Sequence, residues 1–220
     1  MAKILIWHIF STDTEGQMGR RLKKTTESEN LKQIIIDTAL KLFTTKGYFN
    51  TSIQDIRRDA NISIGAVYHY FAGKEELASA LYDSLLEKIT ADFIAIKNRY
   101  DTAHDQCKAI MAHLFALTES NPAQMAFMLY AKHREFIPTV TPICSSRPFS
   151  MMREMVQAGI DNKEIVDLDL TIASNCLFGG MFRLINLRLD NTIAGPLPEQ
   201  LEVVWNCSWR SIAAEPDKKV

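Results

Sequence analysis

One short segment of the sequence combines residue types suited to reading a nucleic-acid groove. It presents small or apolar side chains at Ile64, Gly65 and Ala66, a phenol at Tyr68 and an imidazole at His69. Apolar groups can pack on thymine methyl groups, while the phenol and the imidazole can form hydrogen bonds. If these residues share the outer side of a helix, that helix can read DNA.

A first short helix and a turn must position this segment. Thr51 and Ser52 suit the cap of a helix whose buried face is Ile53, Ile56 and Ala60, at the spacing of an amphipathic helix. The chain is then expected to turn, so that a second helix follows directly.

The second helix is expected from Ile64 to about Phe71. Asn61 enters the left-handed conformation at low cost and can make the turn, and Ser63 suits the next N-cap. Val67 and Phe71 then point inward. Residues 51–71 therefore predict a helix-turn-helix motif.

The stretch ISIGAVYHYFAGKEEL resembles the signature of the tetracycline-repressor-like (TetR) transcriptional regulators. In that signature a Ser-x-Gly-x-hydrophobic-Tyr-x-aromatic-Phe helix is followed by x-x-Lys-Glu-x-Leu at the start of a long helix. The detailed match covers residues 28–80, about a quarter of the chain. The resemblance implies an all-α fold: a three-helix DNA-binding domain with a helix-turn-helix, followed by an all-helical ligand-binding and dimerisation domain. It also implies a cytoplasmic homodimer that binds a palindromic operator in double-stranded DNA and a small-molecule effector.

The same resemblance assigns roles to individual residues. Tyr68, His69 and Lys74, with Thr51 and Ser52 at the first cap, fall at positions that contact the DNA backbone. For Tyr68 the alternative is a core aromatic residue with a satisfied hydroxyl.

Base reading is assigned to the start of the second helix. Ser63, Ile64, Gly65 and Ala66 lie there without a long polar side chain, which favours A·T-biased half-sites. From its exposed position on the first helix, Gln54 is the candidate for a bidentate contact to adenine, with an unpaired surface glutamine as the alternative.

Charge is distributed unevenly along the chain. From Met18 to Lys74 there are ten Lys and Arg against five Asp and Glu, a formal charge of +5, so the remainder carries −6 in a chain of net charge −1. The cluster from Arg20 to Lys24 can add minor-groove contacts. Residues 1–27 are expected to be an extension that is disordered in part, and either Met1 or Met18 can be the native start.

Helical patterns account for the rest of the chain. The first helix is expected to start near Thr26 to Asn30, where Thr26 and Glu29 have capping-box spacing, and to end at Gly47. Residues 28–74 then form the DNA-binding domain and residues 75–220 the helical body. A long helix is predicted from Lys74 to Tyr100. Further helices are expected over 104–119, 122–136, 148–159, 168–190 and 198–214.

The body suits the binding of an apolar small molecule. The segment from Cys107 to Gly159 is rich in flexible methionines, which line adaptable apolar cavities. Its acidic balance favours an uncharged or cationic amphipathic effector, and the alternative is an ordinary methionine-rich core. Pocket candidates are Met111, His113, Phe115, Met128, Tyr130, His133 and Met152.

The last two helices predict a dimer interface. The segment 168–189 is apolar on more than one face, and Gly179 and Gly180 permit close approach of another helix. The alternative is that these helices complete the protomer's own core. Interface candidates are Leu177, Met181, Leu184, Trp205 and Trp209.

Other classes of function have less support. The four cysteines lie far apart, without metal-ligand spacing, so no metal or cofactor is expected, although a redox-sensing cysteine stays open. No phosphate-binding loop, zinc-protease motif or nucleophile elbow is present, and no membrane span is expected. Two alternatives remain: a ligand-independent architectural DNA-binding dimer, and a helical enzyme whose site assembles from distant residues.

Overall fold

The structure is a computed structural model that describes residues 12–130, 135, 137 and 143–214, with side chains from residue 28 onward. The chain divides into two compact units, Met1–Leu77 and Ala78–Val220. Within the described residues it is all-helical, as predicted, apart from one isolated bridge between Ile165 and Ala213.

The first unit contains three helices and the start of a fourth: α1 (Thr12–Thr45), α2 (Ile53–Asp59), α3 (Ile64–Tyr70) and α4 (Lys74–Arg99). Its core contains the residues expected from the apolar spacing, because Ile35, Ala39, Ile56, Val67 and Phe71 are all buried. The α2 and α3 boundaries agree with the predicted motif to within one residue.

The start of α1 corrects the sequence prediction. The helix begins at Thr12, so Thr26 and Glu29 lie inside it instead of forming a capping box at its N-terminus. No proline interrupts residues 12–45, and the residues directly before the expected start, Arg20 to Lys24, are all good helix formers, which favours a continuous helix. The side chains of Arg20 to Lys24 lie outside the described ones. Helix α1 ends near the predicted place, with Gly47 at φ +86°.

The second unit contains the rest of α4 and five further helices: α5 (Ala103–Ser120), α6 (Pro122–Tyr130), α7 (Arg147–Asp161), α8 (Leu170–Leu189) and α9 (Leu201–Arg210). Two short 3-10 turns, Ile143–Ser145 and Leu197–Gln200, precede α7 and α9. The long α4 matches the predicted helix. The predicted continuation of α6 to Phe136 lies largely outside the described residues.

Helices α5 and α7 pack closely in this unit at Gly159. A Cβ placed on Gly159 would lie 2.7 Å from Ile165 Cδ1 and 2.9 Å from Ala103 Cβ, both too short for ordinary contact. The carboxylate of Glu164 accepts hydrogen bonds of 3.0 Å from the backbone N–H groups of Ala103 and His104, which begin α5. The missing side chain of Gly159 allows the close approach, and the Glu164 carboxylate caps the first N–H groups of α5.

Helix α8 has one buried face and one exposed face. Ala173, Leu177, Phe178, Met181 and Ile185 are buried in the unit. By length and composition alone α8 could also cross a membrane, with 28% of its apolar window buried. Core helices of soluble proteins can have the same length and composition, so this is weak evidence for a membrane span. The buried face of α8 packs within this unit.

Candidate functional site

The turn between α2 and α3 has the geometry that the sequence predicts. Asn61 adopts φ 54°, in the left-handed region. Ser52 caps α2 in a capping box with Asp55, and the Ser63 hydroxyl accepts a 3.1 Å hydrogen bond from the Ala66 N–H at the start of α3. These caps satisfy helix N–H groups that lack intrahelical partners, so the turn is locally determined.

The outer side of α3 brings most of the predicted contact residues together. Ser63, Gly65 and His69 are exposed, Ile64 and Ala66 are half-buried, and Tyr68 is 54% exposed. Tyr68 is therefore not a core aromatic residue, and its hydroxyl is available to a ligand. The face combines a small, nearly flat tip with two hydrogen-bonding rings one turn later.

The structure does not support Thr51 as a DNA contact. Its side chain is 2% exposed, and its hydroxyl lies 2.9 Å from the Gly47 carbonyl oxygen and 3.3 Å from that of Leu42. The hydroxyl thus satisfies the carbonyl groups at the end of α1. Ser52, which is exposed, keeps its position at the α2 N-terminus.

Lys74 is engaged within its own unit. Its ammonium donates 2.9 Å hydrogen bonds to the carbonyl oxygens of Tyr48 and Thr51 and lies 4.2 Å from the Tyr48 ring centroid. Burial lowers the pKa of Lys74, against the opposing effect of Glu75. The side chain therefore joins the start of α4 to the loop after α1, a positioning role that sequence reasoning missed.

Gln54 has a partner that the sequence analysis did not name. Gln54 is exposed on α2, and its Oε1 accepts a 2.7 Å hydrogen bond from Arg57 Nε. A bidentate contact to adenine needs both the oxygen and the nitrogen of the amide. The bond to Arg57 occupies one lone pair of Oε1 and fixes the orientation of the amide, while Nε2 and the second lone pair stay available to a base. The spacing of three residues on a helix was the signal available in the sequence.

Tyr70 links α3 to α1. Its hydroxyl lies 2.9 Å from Ser28 Oγ, a contact between residues far apart in sequence. No local pattern distinguishes this tyrosine from Tyr68, which explains why sequence reasoning did not assign it.

Asp55 organises the charges on α2. It accepts hydrogen bonds from the backbone N–H and hydroxyl of Ser52, at 3.0 and 2.6 Å, and pairs with Arg58. These bonds to Ser52 lower the pKa of Asp55 to about 2. Asp55 is therefore ionised near neutral pH, where it can accept these hydrogen bonds at the N-terminus of α2.

The second unit contains an apolar cavity bordered by five helices and the 3-10 turn before α7. Its free volume is about 20 Å³, close to what one water molecule requires. A larger ligand must displace the flexible side chains that line the cavity. The lining residues are Ile89, Phe93, Leu114, Met125, Met128, Leu129, Ile143, Pro148, Phe149, Met152 and Phe182.

Of the predicted pocket residues, two line this cavity. Met128 and Met152 are part of its wall, whereas Met111 and Phe115 are fully buried elsewhere in the core. Those two residues face the packing of α5 against its neighbours, which corrects their assignment. His133 lies outside the described residues.

His113 and Tyr130 lie beside the cavity wall and have polar neighbours. His113 Nε2 lies 3.2 Å from Asp92 Oδ2, within ion-pair range but not aligned for a hydrogen bond. The Tyr130 hydroxyl lies 2.7 Å from the Asn186 carbonyl oxygen and 3.0 Å from Asp190 Oδ1. Burial and the bond to Asp190 raise the pKa of Tyr130 to about 12. Neither residue is among those that line this cavity.

The predicted dimer candidates are mostly inside the protomer. Leu177 and Met181 are fully buried, and Trp205 is 2% exposed and donates a 3.1 Å hydrogen bond to His104 Nε2. Leu184 and Trp209 are half-buried, and Trp209 stacks on Trp205 with ring centroids 5.3 Å apart. Leu177, Met181 and Trp205 therefore form the protomer's own core, the alternative that the sequence left open.

The apolar residues on the exposed sides of α8 and α9 are not the predicted interface candidates. Ile172 is 55% exposed and Val203 is 64% exposed. Gly179 and Gly180 are also exposed, with no atom within 4 Å of a Cβ placed on either. Close approach of another helix is thus permitted at the glycine pair.

The described part of the chain contains no cluster of three His, Cys, Asp or Glu residues that could hold a metal. Cys107 is buried, and burial raises the pKa of its thiol. A raised pKa disfavours the reactive thiolate, so Cys107 does not suit a redox sensor. Cys144, Cys176 and Cys207 are exposed.

Residues 35–81 match the family described as bacterial regulatory proteins, tetR family. Over 71 residues the chain is 41% identical to the HTH-type transcriptional regulator YuxN of Bacillus subtilis, covering 32% of this chain and 24% of that protein. Over 117 residues it is 27% identical to the HTH-type transcriptional regulator BetI of Brucella melitensis, covering 51% of this chain and 59% of that one. The matched stretch therefore spans less than two thirds of either relative. These relatives are transcriptional regulators and not enzymes.

Solved structures share the fold over most of the chain. A TetR family transcription regulator from Marinobacter aquaeolei has a TM-score of 0.70 at 17% identity, covering 88% of this chain and all of that one. The transcriptional regulator FadR of Bacillus subtilis, solved in complex with stearoyl-CoA, has a TM-score of 0.68 at 19% identity, covering 80% of this chain and 96% of that one. At these identities the likeness concerns the fold.

Proposed function

We propose that this chain, whose residues 35–81 belong to the TetR family, is a sequence-specific DNA-binding transcriptional regulator. The observation that carries the proposal is the outer side of α3, where Tyr68 and His69 are exposed beside a tip of small residues. The major groove admits an α-helix, and the residues at the start of such a helix are the ones that meet base edges. The site of action is the cytoplasm.

Binding to DNA is tested by selection from random double-stranded DNA, followed by affinity measurements on the selected sequences. We expect an inverted repeat with A·T-biased half-sites. Ala66→Asp places an anion at the tip of α3 and should abolish binding, since the carboxylate would lose its hydration inside the negatively charged groove. Ala158→Asp, which adds the same charge to an exposed position on α7, should leave affinity unchanged. Equal affinities for wild type and Ala66→Asp would reject the α3 assignment.

We further propose that the protein is a repressor released by a small apolar or amphipathic effector bound in the cavity. The support is chemical: the cavity wall is wholly apolar, and Met125, Met128 and Met152 can change rotamer to admit a ligand. One helix, α4, contributes both Lys74 and the cavity residues Ile89 and Phe93. Repacking around a ligand can thus act on a helix that also belongs to the DNA-binding unit. FadR of Bacillus subtilis, a structural neighbour, binds stearoyl-CoA.

Effector action is tested through the thermodynamic linkage between ligand binding and operator binding. A ligand that calorimetry shows to bind the second unit should weaken operator binding, and the operator should weaken ligand binding by the same factor. A coupling of roughly 1 to 3 kcal/mol is typical of such regulators. If no cavity-binding ligand changes operator affinity, a ligand-independent DNA-binding dimer is the better account.

We also propose that the protein acts as a homodimer through α8 and α9. The residues that support this are the exposed ones, Ile172 and Val203 with the Gly179 and Gly180 pair, in place of the buried Leu177, Met181 and Trp205. Exposed apolar side chains beside glycines suit close helix packing. Two linked DNA-binding units can then engage both halves of a palindrome.

A further inference from the structure

One buried polar group on α6 has no hydrogen-bond partner in the part of the chain that the structure describes. Gln124 is 4% exposed and lies in the first turn of α6. Among the described residues, its Nε2 is buried and has no hydrogen-bond partner. A buried amide N–H without a partner is unfavourable and rare in native proteins. The position therefore calls for an acceptor that the surrounding side chains do not supply.

Gln124 is a sequence neighbour of residues that line the cavity. It directly precedes Met125 and lies one helical turn before Met128, and both methionines line the cavity. The lining side chains themselves are all apolar. Along α6, Gln124 and Tyr130 are the two uncharged hydrogen-bonding side chains next to lining residues. The Tyr130 hydroxyl already lies within hydrogen-bond distance of Asn186 and Asp190, so Gln124 is the one with an unused donor.

We propose that Gln124 positions the effector by donating a hydrogen bond to an uncharged acceptor, such as a ketone, ester or thioester carbonyl. The proposal rests on the cavity being the effector site. Displacement of Met125 or Met128 by the ligand opens the path between the Gln124 amide and the cavity. The apolar body of the ligand then fills the enlarged space, and the carbonyl oxygen satisfies Nε2.

The chemistry of the wall selects against an anionic ligand. A carboxylate that enters the cavity loses its hydration, and no cationic side chain is among the lining residues. An amide N–H can compensate a neutral carbonyl but not a full negative charge. We therefore expect discrimination between a neutral carbonyl compound and the corresponding acid.

The test uses three small probes of one ring each, because the free volume of about 20 Å³ is small. Acetophenone has the carbonyl, ethylbenzene is its counterpart without an acceptor, and benzoate is the anion. Calorimetric titrations compare wild type with Gln124→Met, which keeps the side-chain length but removes the donor. The ratio of acetophenone to ethylbenzene affinity should fall about fivefold in the variant, as loss of one hydrogen bond predicts. Benzoate should bind most weakly to the wild type.

The affinity ratio separates this inference from the cavity proposal. Ethylbenzene affinity should stay unchanged in Gln124→Met, and Gln33→Leu, at an exposed site on α1, should change neither affinity. An unchanged ratio in Gln124→Met would overturn the role of Gln124 while leaving the cavity as a binding site. Binding of none of the probes to the wild type would count against the cavity itself.

A second measurement needs no variant and covers the case in which Gln124→Met does not fold. In the wild type, acetophenone should shift the side-chain amide resonances of Gln124, whereas ethylbenzene should not shift them. Equal shifts with both ligands would reflect a change of surroundings alone, and would contradict the hydrogen bond.

Discussion

The ammonium of Lys74 lies 4.2 Å from the ring centroid of Tyr48 and donates a 2.9 Å hydrogen bond to the carbonyl oxygen of the same residue. A second hydrogen bond reaches Thr51. Two of the three ammonium protons are therefore used within the protein. Lys74, which the family resemblance assigns to phosphate contact, thus stabilises the loop that precedes α2.

Replacing Lys74 should destabilise the DNA-binding unit. Lys74→Ala removes two charge-assisted hydrogen bonds and leaves the Thr51 carbonyl without that donor, while the Tyr48 carbonyl keeps the Thr51 N–H. We therefore expect a loss of roughly 1 to 3 kcal/mol in the free energy of unfolding. Lys41→Ala breaks an exposed ion pair with Asp59 and should change stability by less than about 1 kcal/mol. Chemical denaturation measures both. Unchanged stability, together with a salt dependence of DNA binding that falls by about one counterion, would restore the phosphate-contact role.

Tyr68 and Tyr70 should respond differently to loss of the hydroxyl. Tyr68 is exposed, so Tyr68→Phe should keep the stability of the fold but weaken binding to all DNA sequences by about fivefold, the value of one hydrogen bond. Tyr70→Phe loses the bond to Ser28 and should lower stability by about 1 kcal/mol. Thermal unfolding and binding titrations distinguish them. A reversal of these two effects would mean that the outer face of α3 is wrongly assigned.

Gln54 and Arg57 should affect the same base pair. Gln54→Ala is expected to change the preference at one base pair in each half-site by roughly 1 to 3 kcal/mol. Arg57→Ala releases the Gln54 amide from its fixed orientation, so the preference at that base pair should shift toward adenine, which a freely rotating amide can contact through both of its polar atoms. Affinities for a set of single-base operator variants provide the measurement. If Arg57→Ala changes affinity equally for all of them, Arg57 contacts phosphate instead of holding Gln54.

A charge on the exposed faces of α8 or α9 should separate the protomers without unfolding them. Ile172→Glu and Val203→Glu place a carboxylate in the proposed apolar interface, so sedimentation should detect folded monomers. Ile94→Glu, at an exposed apolar site on α4, is the matched control and should stay dimeric. Trp205→Glu should unfold the unit because Trp205 is buried. Dimers of unchanged affinity in both interface variants would exclude these faces.

The second unit should lose part of its stability in acid through Glu119. The carboxylate accepts two 2.9 Å hydrogen bonds from Arg188 and one of 3.0 Å from the Leu197 N–H. Bonding to Arg188 lowers the pKa of Glu119. A lowered pKa in the folded state means stabilisation that is present above the unfolded value and lost as the pH falls through the folded value.

Glu119→Gln should therefore be less stable than wild type near neutral pH, and the difference should shrink as the pH falls from neutral to below the ordinary pKa of a glutamate. Glu87→Gln, at an exposed position on α4, should show no such convergence. Urea midpoints measured across this pH range check the prediction. A difference between wild type and Glu119→Gln that stays constant with pH would show that the ion pair is not the source.

Local chemistry allowed the sequence to determine the helix-turn-helix and most of the helix boundaries. The caps at Ser52 and Ser63 and the turn at Asn61 depend on neighbours within a few residues, and all three are observed as predicted. The apolar spacing that buries Val67 and Phe71 is equally local. The predicted start of α1 was wrong. A sequence with capping-box spacing does not begin a helix at that point when the residues directly before it, Arg20 to Lys24, also favour helix.

Tertiary structure decided which chemically similar residues are inside. Thr51 and Ser52 are adjacent hydroxyl residues, yet packing against the end of α1 buries only the first. Likewise, an apolar periodicity indicates that Leu177 and Trp205 are buried, but it cannot tell whether the covering surface belongs to the same chain or to a partner. Contacts between residues far apart in sequence settle that choice, because burial depends on which helices meet.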